Sequence, residues 1–401
     1  MRVIMVCGFA LSPKATVSAR AVPMARALKE RGHDATVLVS PYDNMDFSGR
    51  SMLEEGVPIE NLAIRGRSIY KYLKIPLDFL REIRRRNPDV IHIFKPKGFS
   101  GLTAMLLHLM RRPFVLDHDD WEGWGGWNET APHSRPVKHF INFQERWIPR
   151  KAQAITVASR LLERRLLQAR VPAERVFYAP NGPRPSLADW RASDRAEVEA
   201  LKSKLGSQGK VVIWYAGHMD EADDPMAALK ILVEIVTSKR DAVAWIAGPP
   251  KTSLQGFVRQ SGAAGSISFL GWLAYEDYLR YLAASDIAFY PFPDTPVYRA
   301  KCSGKIVQYM ALGKPVVTTP VGQNLEYIEN GKSGILARDC VEMASALTSL
   351  VDDATLRQRL GQNAQRRIWG EFSWEKTVDR VLQAYALALS RTRCISRLGV
   401  K

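Results

Sequence analysis

The sequence predicts an α/β protein made of two domains, each a parallel sheet wound with helices. Two observations carry that prediction. Apolar strand-like runs alternate with helix-length segments along the whole chain, and the alternation restarts after a turn-rich stretch, Tyr178-Ala-Pro-Asn-Gly-Pro-Arg-Pro185. A length of 401 residues also exceeds what one ordinary hydrophobic core accommodates.

In the first half, strands are expected near 2–7, 34–39, 89–94, 113–117, 153–158 and 175–179. Helices are expected near 18–32, 70–86, 100–111, 136–150 and 159–169. Gly32-His33 closes the first helix before the apolar run Ala35-Thr-Val-Leu-Val. The second half starts again with Val211-Val-Ile-Trp-Tyr-Ala-Gly217. It continues through 243–248, 267–271 and 286–290. Next comes a helix from Lys305 that ends at Gly313 and passes directly into Pro315-Val-Val, a buried strand. A last helix starts at Phe372-Ser-Trp-Glu. The expected division is residues 1–180, a hinge at 181–186, and residues 187–371, followed by a helix over 372–392.

Composition excludes several classes. Hydrophobic residues make up 46% and charged residues 24%, as in ordinary globular enzymes. The N-terminal run is read as a strand rather than a signal peptide, and no apolar stretch approaches the roughly 20 residues of a membrane-spanning helix. Cys7, Cys302, Cys340 and Cys394 lack disulfide or metal-ligand spacing, which predicts a cytoplasmic chain. The net charge of +16 is unevenly spread: residues 1–185 hold 30 Lys+Arg against 18 Asp+Glu, a net of +12. No zinc-finger, helix-turn-helix or RNA-recognition pattern accompanies this surplus, so nucleic acid is not an expected partner. An anionic membrane surface or a phosphorylated substrate fits better. The amphipathic segment 70–86 suits a lipid-linked acceptor, although it reads somewhat better as an ordinary helix with its apolar residues facing the core; peripheral contact with the cytoplasmic face of an anionic membrane is a further expectation. The basic tail Arg391–Lys401 is expected to fray.

Ligands of open parallel sheets bind beyond the C-terminal ends of the strands. Several polar clusters fall at such ends. The run Asp117-His118-Asp119-Asp120-Trp121-Glu122-Gly123-Trp124-Gly125-Gly126-Trp127-Asn128 gathers acids and tryptophans. Indole faces suit sugar rings, and carboxylates or amides suit hydroxyls. Lys95 and Lys97 precede a helix N-terminus and are placed to receive a phosphate. Lys14, Ser18 and Arg20 follow the first strand and are assigned a looser role in the same site. In the second half, Gly217 and His218 end a strand, and Lys301, Ser303, Gly304 and Lys305 lead into a helix. Lys305 in that helix's first turn suits a diphosphate, and Gln308, one turn on, suits a ribose. The Gly322-Gln323 turn is expected to offer backbone N–H groups.

The run Lys305-Ile-Val-Gln-Tyr-Met-Ala-Leu-Gly-Lys-Pro-Val-Val317 resembles the signature of the retaining glycosyltransferases of family 4, the glycosyl transferases group 1. Pro320-Val-Gly-Gln-Asn-Leu-Glu-Tyr-Ile328 and Asn330-Gly-Lys-Ser-Gly334 continue the pattern, and Pro180-Asn181-Gly182 matches the family's interdomain turn. The resemblance implies a GT-B architecture: two Rossmann-like domains facing across a cleft, with the terminal helix 372–392 crossing back to the first domain. It further implies a hexose-type sugar transferred from a nucleotide-diphosphate donor, with retention, to the hydroxyl of a glycan or lipid-linked saccharide. His118, with Asp119 beside it, would meet the donor sugar, and Lys305 the diphosphate. No metal is expected despite the Asp117-X-Asp119 spacing, nor any cofactor beyond the nucleotide-sugar. Three departures stand out. Gln308 and Ala300 occupy the family's paired glutamate positions. His218 and the acidic run 220–224 replace a basic pair after Gly217, and the glycine pair after the first strand is missing. A non-catalytic GT-B binder of glycan or a partner, and a nucleotide-sugar epimerase, remain as other readings.

Overall fold

The computed structural model describes residues 1–11, 16–65, 73–187, 195–219 and 224–397. It forms two compact units. The first comprises Met1–Pro185, Arg299–Cys302 and Ser373–Lys401; the second comprises Ser186–Tyr298 and Ser303–Phe372.

The strands of the first unit are β1 (Arg2–Cys7), β2 (Asp34–Val39), β3 (Ser51–Glu54), β4 (Val57–Asn61), β5 (Val90–Phe94), β6 (Val115–His118), β7 (Ala154–Val157) and β8 (Val176–Tyr178). They form one eight-stranded sheet in the order β3-β4-β2-β1-β5-β6-β7-β8. All neighbours are parallel except β3 and β4. This hairpin was not among the expected strands. Glu55 and Gly56 turn it, both at positive φ (48° and 76°), and glycine relieves the strain of that conformation. The central strands are buried along nearly their whole length, which is why they read as continuous apolar runs.

One face of this sheet is covered by α1 (Val22–Glu30) and the terminal helix (Trp374–Arg397), whose Val378, Val381 and Tyr385 share a core with Val3, Met5 and Val37. The other carries α2 (Ile75–Arg86), α3 (Gly98–Leu109), α4 (Arg135–Lys151) and α5 (Arg160–Gln168), packed through Phe79, Leu107, Ile148 and Leu162. The helix expected over 70–86 is described from its later part, residues 70–72 lying outside the described residues. The helix expected over 18–32 opens as a wider turn, Val17–Ala21, in which the N–H of Val22 donates to Val17 O. Pro23 lacks an N–H and cannot continue the i→i−4 ladder, and the wide turn directs Arg20 inward.

The second unit holds β9 (Val211–Ala216), β10 (Ala242–Ala247), β11 (Ile267–Gly271), β12 (Ile287–Phe289), β13 (Val316–Thr318) and β14 (Ile335–Leu336). Its parallel sheet runs β11-β10-β9-β12-β13-β14. The helices are α6 (Arg195–Lys204), α7 (Pro225–Ser238), α8 (Thr252–Gln260), α9 (Tyr275–Ala284), α10 (Pro296–Ala300), α11 (Gly304–Ala311), α12 (Asn324–Tyr327), α13 (Cys340–Asp352) and α14 (Ala354–Glu371). Gly313 closes α11 at φ 69°, the left-handed value expected of a helix-ending glycine. The carbonyl of buried Ala311 at that end, past the helix's own hydrogen bonds, accepts from Gln365 Nε2 and Trp369 Nε1 of α14.

Candidate functional site

In the second unit, strand order reverses between β9 and β12, and a doubly wound sheet presents its ligand crevice at the C-terminal ends of two such strands. Lys305 lies there. Its Nζ donates to Ala216 O at the end of β9 (3.1 Å) and to the hydroxyl of Tyr290, just past β12 (3.3 Å), with the tyrosine ring centroid 4.7 Å away. Ser303 caps α11 by accepting from the N–H of Ile306, so Gly304 and Lys305 form the helix's positively polarised first turn. Gln308, one turn on, donates from Nε2 to the hydroxyl of Tyr275 (3.3 Å).

The surrounding loops are tied together. Thr319 Oγ1 accepts from Phe292 N and donates to Phe292 O, and Thr318 Oγ1 donates to Tyr290 O, which joins the ends of β12 and β13. Gly217 donates its N–H to Ala247 O, next to exposed His218. Gly322 adopts φ 58° in the turn before α12, and Gln323 is buried. The motif's second lysine has a different use. Lys314 is sunk into the unit, where its Nζ donates to Ala283 O and Ser285 O at the end of α9 (2.6 Å each). Burial pulls its ammonium down to about 8.

Three residues of this site were not singled out from the sequence. Tyr290 and Tyr275 are the partners of Lys305 and Gln308. Trp272, 68% exposed, lies just past β11 with its ring centroid 5.9 Å from that of His218. The Gly271-Trp272 junction at a strand end was its available signal.

In the first unit the strand-end cluster is organised around buried charge. Both oxygens of Asp117 are engaged by Arg20: Nε to Oδ1 at 2.6 Å and Nη2 to Oδ2 at 2.7 Å. Thr156 Oγ1 also donates to Asp117 Oδ2 (2.6 Å). Burial works against the Asp117 carboxylate, but the guanidinium holds it below the usual range. Arg20 Nη1 reaches Ala179 O and Asn181 Oδ1 as well, so this side chain, expected to meet a phosphate, instead ties β6 to the Pro180-Asn181-Gly182 turn. Next to it His92 bridges Tyr385 and Thr156, and burial lowers its imidazole to about 4, keeping it neutral.

Lys95 and Lys97 are likewise engaged. Lys95 is buried at φ 66° with its Nζ 2.5 Å from Asp120, 2.9 Å from Glu122 and 3.4 Å from Asp119. Lys97 pairs with the other oxygen of Glu122. Burial opposes the Glu122 carboxylate, yet the two lysines hold it down at about 2. Burial and the neighbouring Asp120 and Asp117 lift Asp119 to about 6, against the pull of Lys95. The lysines' charge is therefore met by the loop's own acids.

His118 differs from these groups. It is 2% exposed, and among the described residues neither ring nitrogen has a hydrogen-bond partner; Nε2 lies 3.7 Å from Glu145 Oε1. Glu145 of α4, also not singled out from the sequence, accepts the Glu122 N–H through Oε2 (2.7 Å) and so braces the loop beneath the imidazole. The tryptophans are packed rather than presented. Arg165 lies 3.3 Å from the Trp121 ring centroid, Trp124 meets His139 edge-on, and Lys301 lies 5.9 Å from the Trp127 centroid. Asn128 Nδ2 donates to Lys138 O. A Cβ on Gly126 would stand 2.1 Å from Trp121 O, so the close approach that folds the indole over the loop requires glycine.

Segment 299–302 belongs to the first unit. Ala300, at the position of the family's first glutamate, is buried, and its carbonyl accepts from Ser159 Oγ (2.7 Å). Asn181 donates through Nδ2 to Cys302 O and through its N–H to Cys302 Sγ. The expected site residue Lys14 lies outside the described residues, as do 220–223 of the acidic run. Among the described residues, no group of three His, Cys, Asp or Glu is arranged to hold a metal ion, and no helix is long and apolar enough to cross a membrane.

Comparison with known proteins agrees with this fold. Residues 16–182 match the family model of the glycosyl transferase 4-like domain, and residues 210–353 that of the glycosyl transferases group 1. Spore coat protein SA of Bacillus subtilis is 23% identical over 49% of this chain, and the chain spans about half (54%) of its length. The alpha-D-kanosaminyltransferase of Streptomyces kanamyceticus is 23% identical over 71% of this chain and 74% of its own. Among solved structures, HepE of Anabaena, in complex with UDP and glucose, superposes with a TM-score of 0.72 at 17% identity, covering 96% of this chain and 99% of that one. Two doubly wound sheets, the first matched by one domain model and the second by the other, place the chain among the GT-B glycosyltransferases of the group 1 type.

Proposed function

We propose that this chain transfers a hexose-type sugar from a nucleoside-diphosphate donor to an acceptor hydroxyl, with retention of anomeric configuration. One observation carries the reading: Lys305 stands at the strand-order reversal of the second sheet, bonded to the ends of both β9 and β12 and in the first turn of α11. A leaving diphosphate there meets an ammonium and a helix N-terminus already in position, so stabilising its developing charge needs no rearrangement. Gln308 and Tyr275 offer amide and hydroxyl partners to a ribose. The exposed face of Trp272 offers a stacking surface to the base. Gly217, Gly322 and Gln323 supply backbone around the phosphates.

In the first unit, His118 is the group that meets the donor sugar. Its ring nitrogens are buried without hydrogen-bond partners, and a sugar hydroxyl would satisfy one of them. The reaction we propose uses no metal: Asp117 already has both oxygens on Arg20, and Asp119 lies against Lys95. The acceptor is a glycan or lipid-linked saccharide handled on the cytoplasmic side. The basic surplus of residues 1–185 supports that choice.

Because HepE of Anabaena was solved with UDP and glucose, UDP-glucose is the first donor to try, followed by GDP-, ADP- and CDP-sugars. Calorimetric titration and donor hydrolysis should single out one nucleotide, and Lys305→Ala should lose both signals. Equal binding by wild type and Lys305→Ala would sink the assignment. A second reading, a sugar binder without turnover, draws support from buried Ala300, where the family's first glutamate is replaced by a side chain that cannot contact a hydroxyl. Tight donor binding with no hydrolysis and no transfer to any acceptor would favour it.

A further inference from the structure

The outer surface of α4 carries a feature that sugar transfer does not use. Phe140 and Phe143 are 38% and 46% exposed, and their rings stack with centroids 6.5 Å apart. Phe143 stacks in turn on Trp147 (6.1 Å), and Trp147 meets His108 of α3 edge-on (5.1 Å). The row therefore runs from α4 onto the end of α3, where Leu109 and Met110 are 74% and 55% exposed. Soluble surfaces carry single apolar residues commonly, but exposed Phe140 and Phe143, continued through half-buried Trp147 and His108 to exposed Leu109 and Met110, form a contiguous patch that marks an interaction face.

Charge identifies the partner. The α4 sequence carries Arg135, Lys138, Arg146, Arg150 and Lys151 but a single acid, Glu145, which is buried and turned toward Glu122 and His118. Every exposed charge on this helix is positive. The α3 end adds exposed Arg111 and Arg112. Lys151 Nζ lies 5.4 Å from the Trp147 ring centroid, a cation set against the aromatic row. Aromatic rings bordered by cations, with no exposed acid on either helix, match the interface of an anionic bilayer: rings at the headgroup level and ammonium or guanidinium groups on lipid phosphates. A protein partner would not require such one-sided charge.

We infer that the α3–α4 face of the first unit is a membrane-docking surface for anionic lipid, seating Phe140 and Phe143 in the headgroup region with half-buried Trp147 beneath them. The inference stands independently of the donor reading. It also moves the expected contact from the 70–86 helix, whose Phe79 and Ile83 are buried in the core, to α4.

Sedimentation of the full chain with vesicles tests it. Vesicles of phosphatidylcholine with phosphatidylglycerol should carry the protein down, pure phosphatidylcholine should not, and added salt should release it. Phe140→Ser with Phe143→Ser should weaken partitioning roughly tenfold or more, because two ring insertions are lost. Arg146→Gln should weaken it by about fivefold, the effect of one cation at an anionic surface. Neither variant removes a core side chain, and an unchanged melting temperature would confirm folding. Leu325→Ser, at an exposed site in the second unit, should bind vesicles like wild type. The inference is overturned if wild type stays in the supernatant with anionic vesicles, or if the double variant sediments as wild type does. A wild-type dimer that ignores vesicles and is split by the double variant would overturn it too, assigning the face to self-association.

Discussion

Arg20 and Asp117 face each other through two parallel hydrogen bonds of 2.6 and 2.7 Å, with the Arg20 side chain 1% exposed and that of Asp117 fully buried. Burial alone would disfavour both charges. Each is kept ionised by the other, and both Nη1 donors of Arg20 are taken up by Ala179 O and Asn181 Oδ1. Removing either partner leaves a buried charge unpaired. Arg20→Ala should destabilise the protein by about 3–5 kcal/mol. Arg20→Lys should recover little, because an ammonium cannot reproduce the fork. Urea denaturation of the two variants checks both statements, and a Lys variant as stable as wild type would contradict the second.

Glu122 and Asp119 predict opposite pH responses. The Glu122 carboxyl is held near 2 when folded, below the 4.5 of a free glutamate, so its contribution is present above pH 4.5 and lost as pH falls toward 2. Asp119 is lifted from 3.8 to about 6, so folding favours its protonated form and the benefit disappears as pH rises through 6. Glu122→Gln should therefore cost on the order of 3 kcal/mol at pH 7 and little at pH 2.5. Asp119→Asn should raise stability at pH 8 relative to wild type and lose that advantage at pH 4. Melting curves at these pH values measure the difference.

For donor binding, Lys305→Ala should weaken the nucleotide-sugar by roughly 10–100-fold, the loss of one charge-assisted contact to phosphate. Melting of the free protein should change little. Gln308→Glu should bind the donor at least as tightly as wild type, since the hydroxyl of Tyr275 can donate to the new carboxylate and the ribose hydroxyls gain an ionised acceptor. A Gln308→Glu variant that loses binding would remove Gln308 from the ribose role.

His118→Ala should depress transfer by about 100-fold or more while leaving nucleotide affinity nearly unchanged, because the imidazole is assigned to the sugar and not to the diphosphate. Comparing titration with UDP against titration with the full nucleotide-sugar separates those two contacts.

Gly126→Ala should be strongly destabilising, by about 3 kcal/mol or more, since the added methyl group meets the carbonyl of Trp121 rather than a movable side chain. Near-ultraviolet circular dichroism should report the release of the indole. A wild-type spectrum and stability would contradict the packing of this loop.

Residue order alone determined what depends on local chemistry. The apolar runs marked most parallel strands, Gly313 marked the end of α11, and the Lys305–Gly334 motif pointed to the group 1 glycosyltransferases. These signals survive in sequence because a strand buried on both faces must be apolar, and a left-handed helix end favours glycine. The β3–β4 hairpin escaped because short strands at a sheet edge, one bearing Pro58, need no continuous apolar run. Tertiary structure alone decided which charges are spent. Lys95, Lys97 and Arg20 read as phosphate ligands because their partners, Asp117, Asp120 and Glu122, stand about 25 to 97 positions away. Lys314 reads as a motif lysine and proves to close the end of α9, while Trp272 becomes a site residue only when β11 is set beside β10. Charge pairing and burial depend on distance in space, and only the folded sheet order sets that distance.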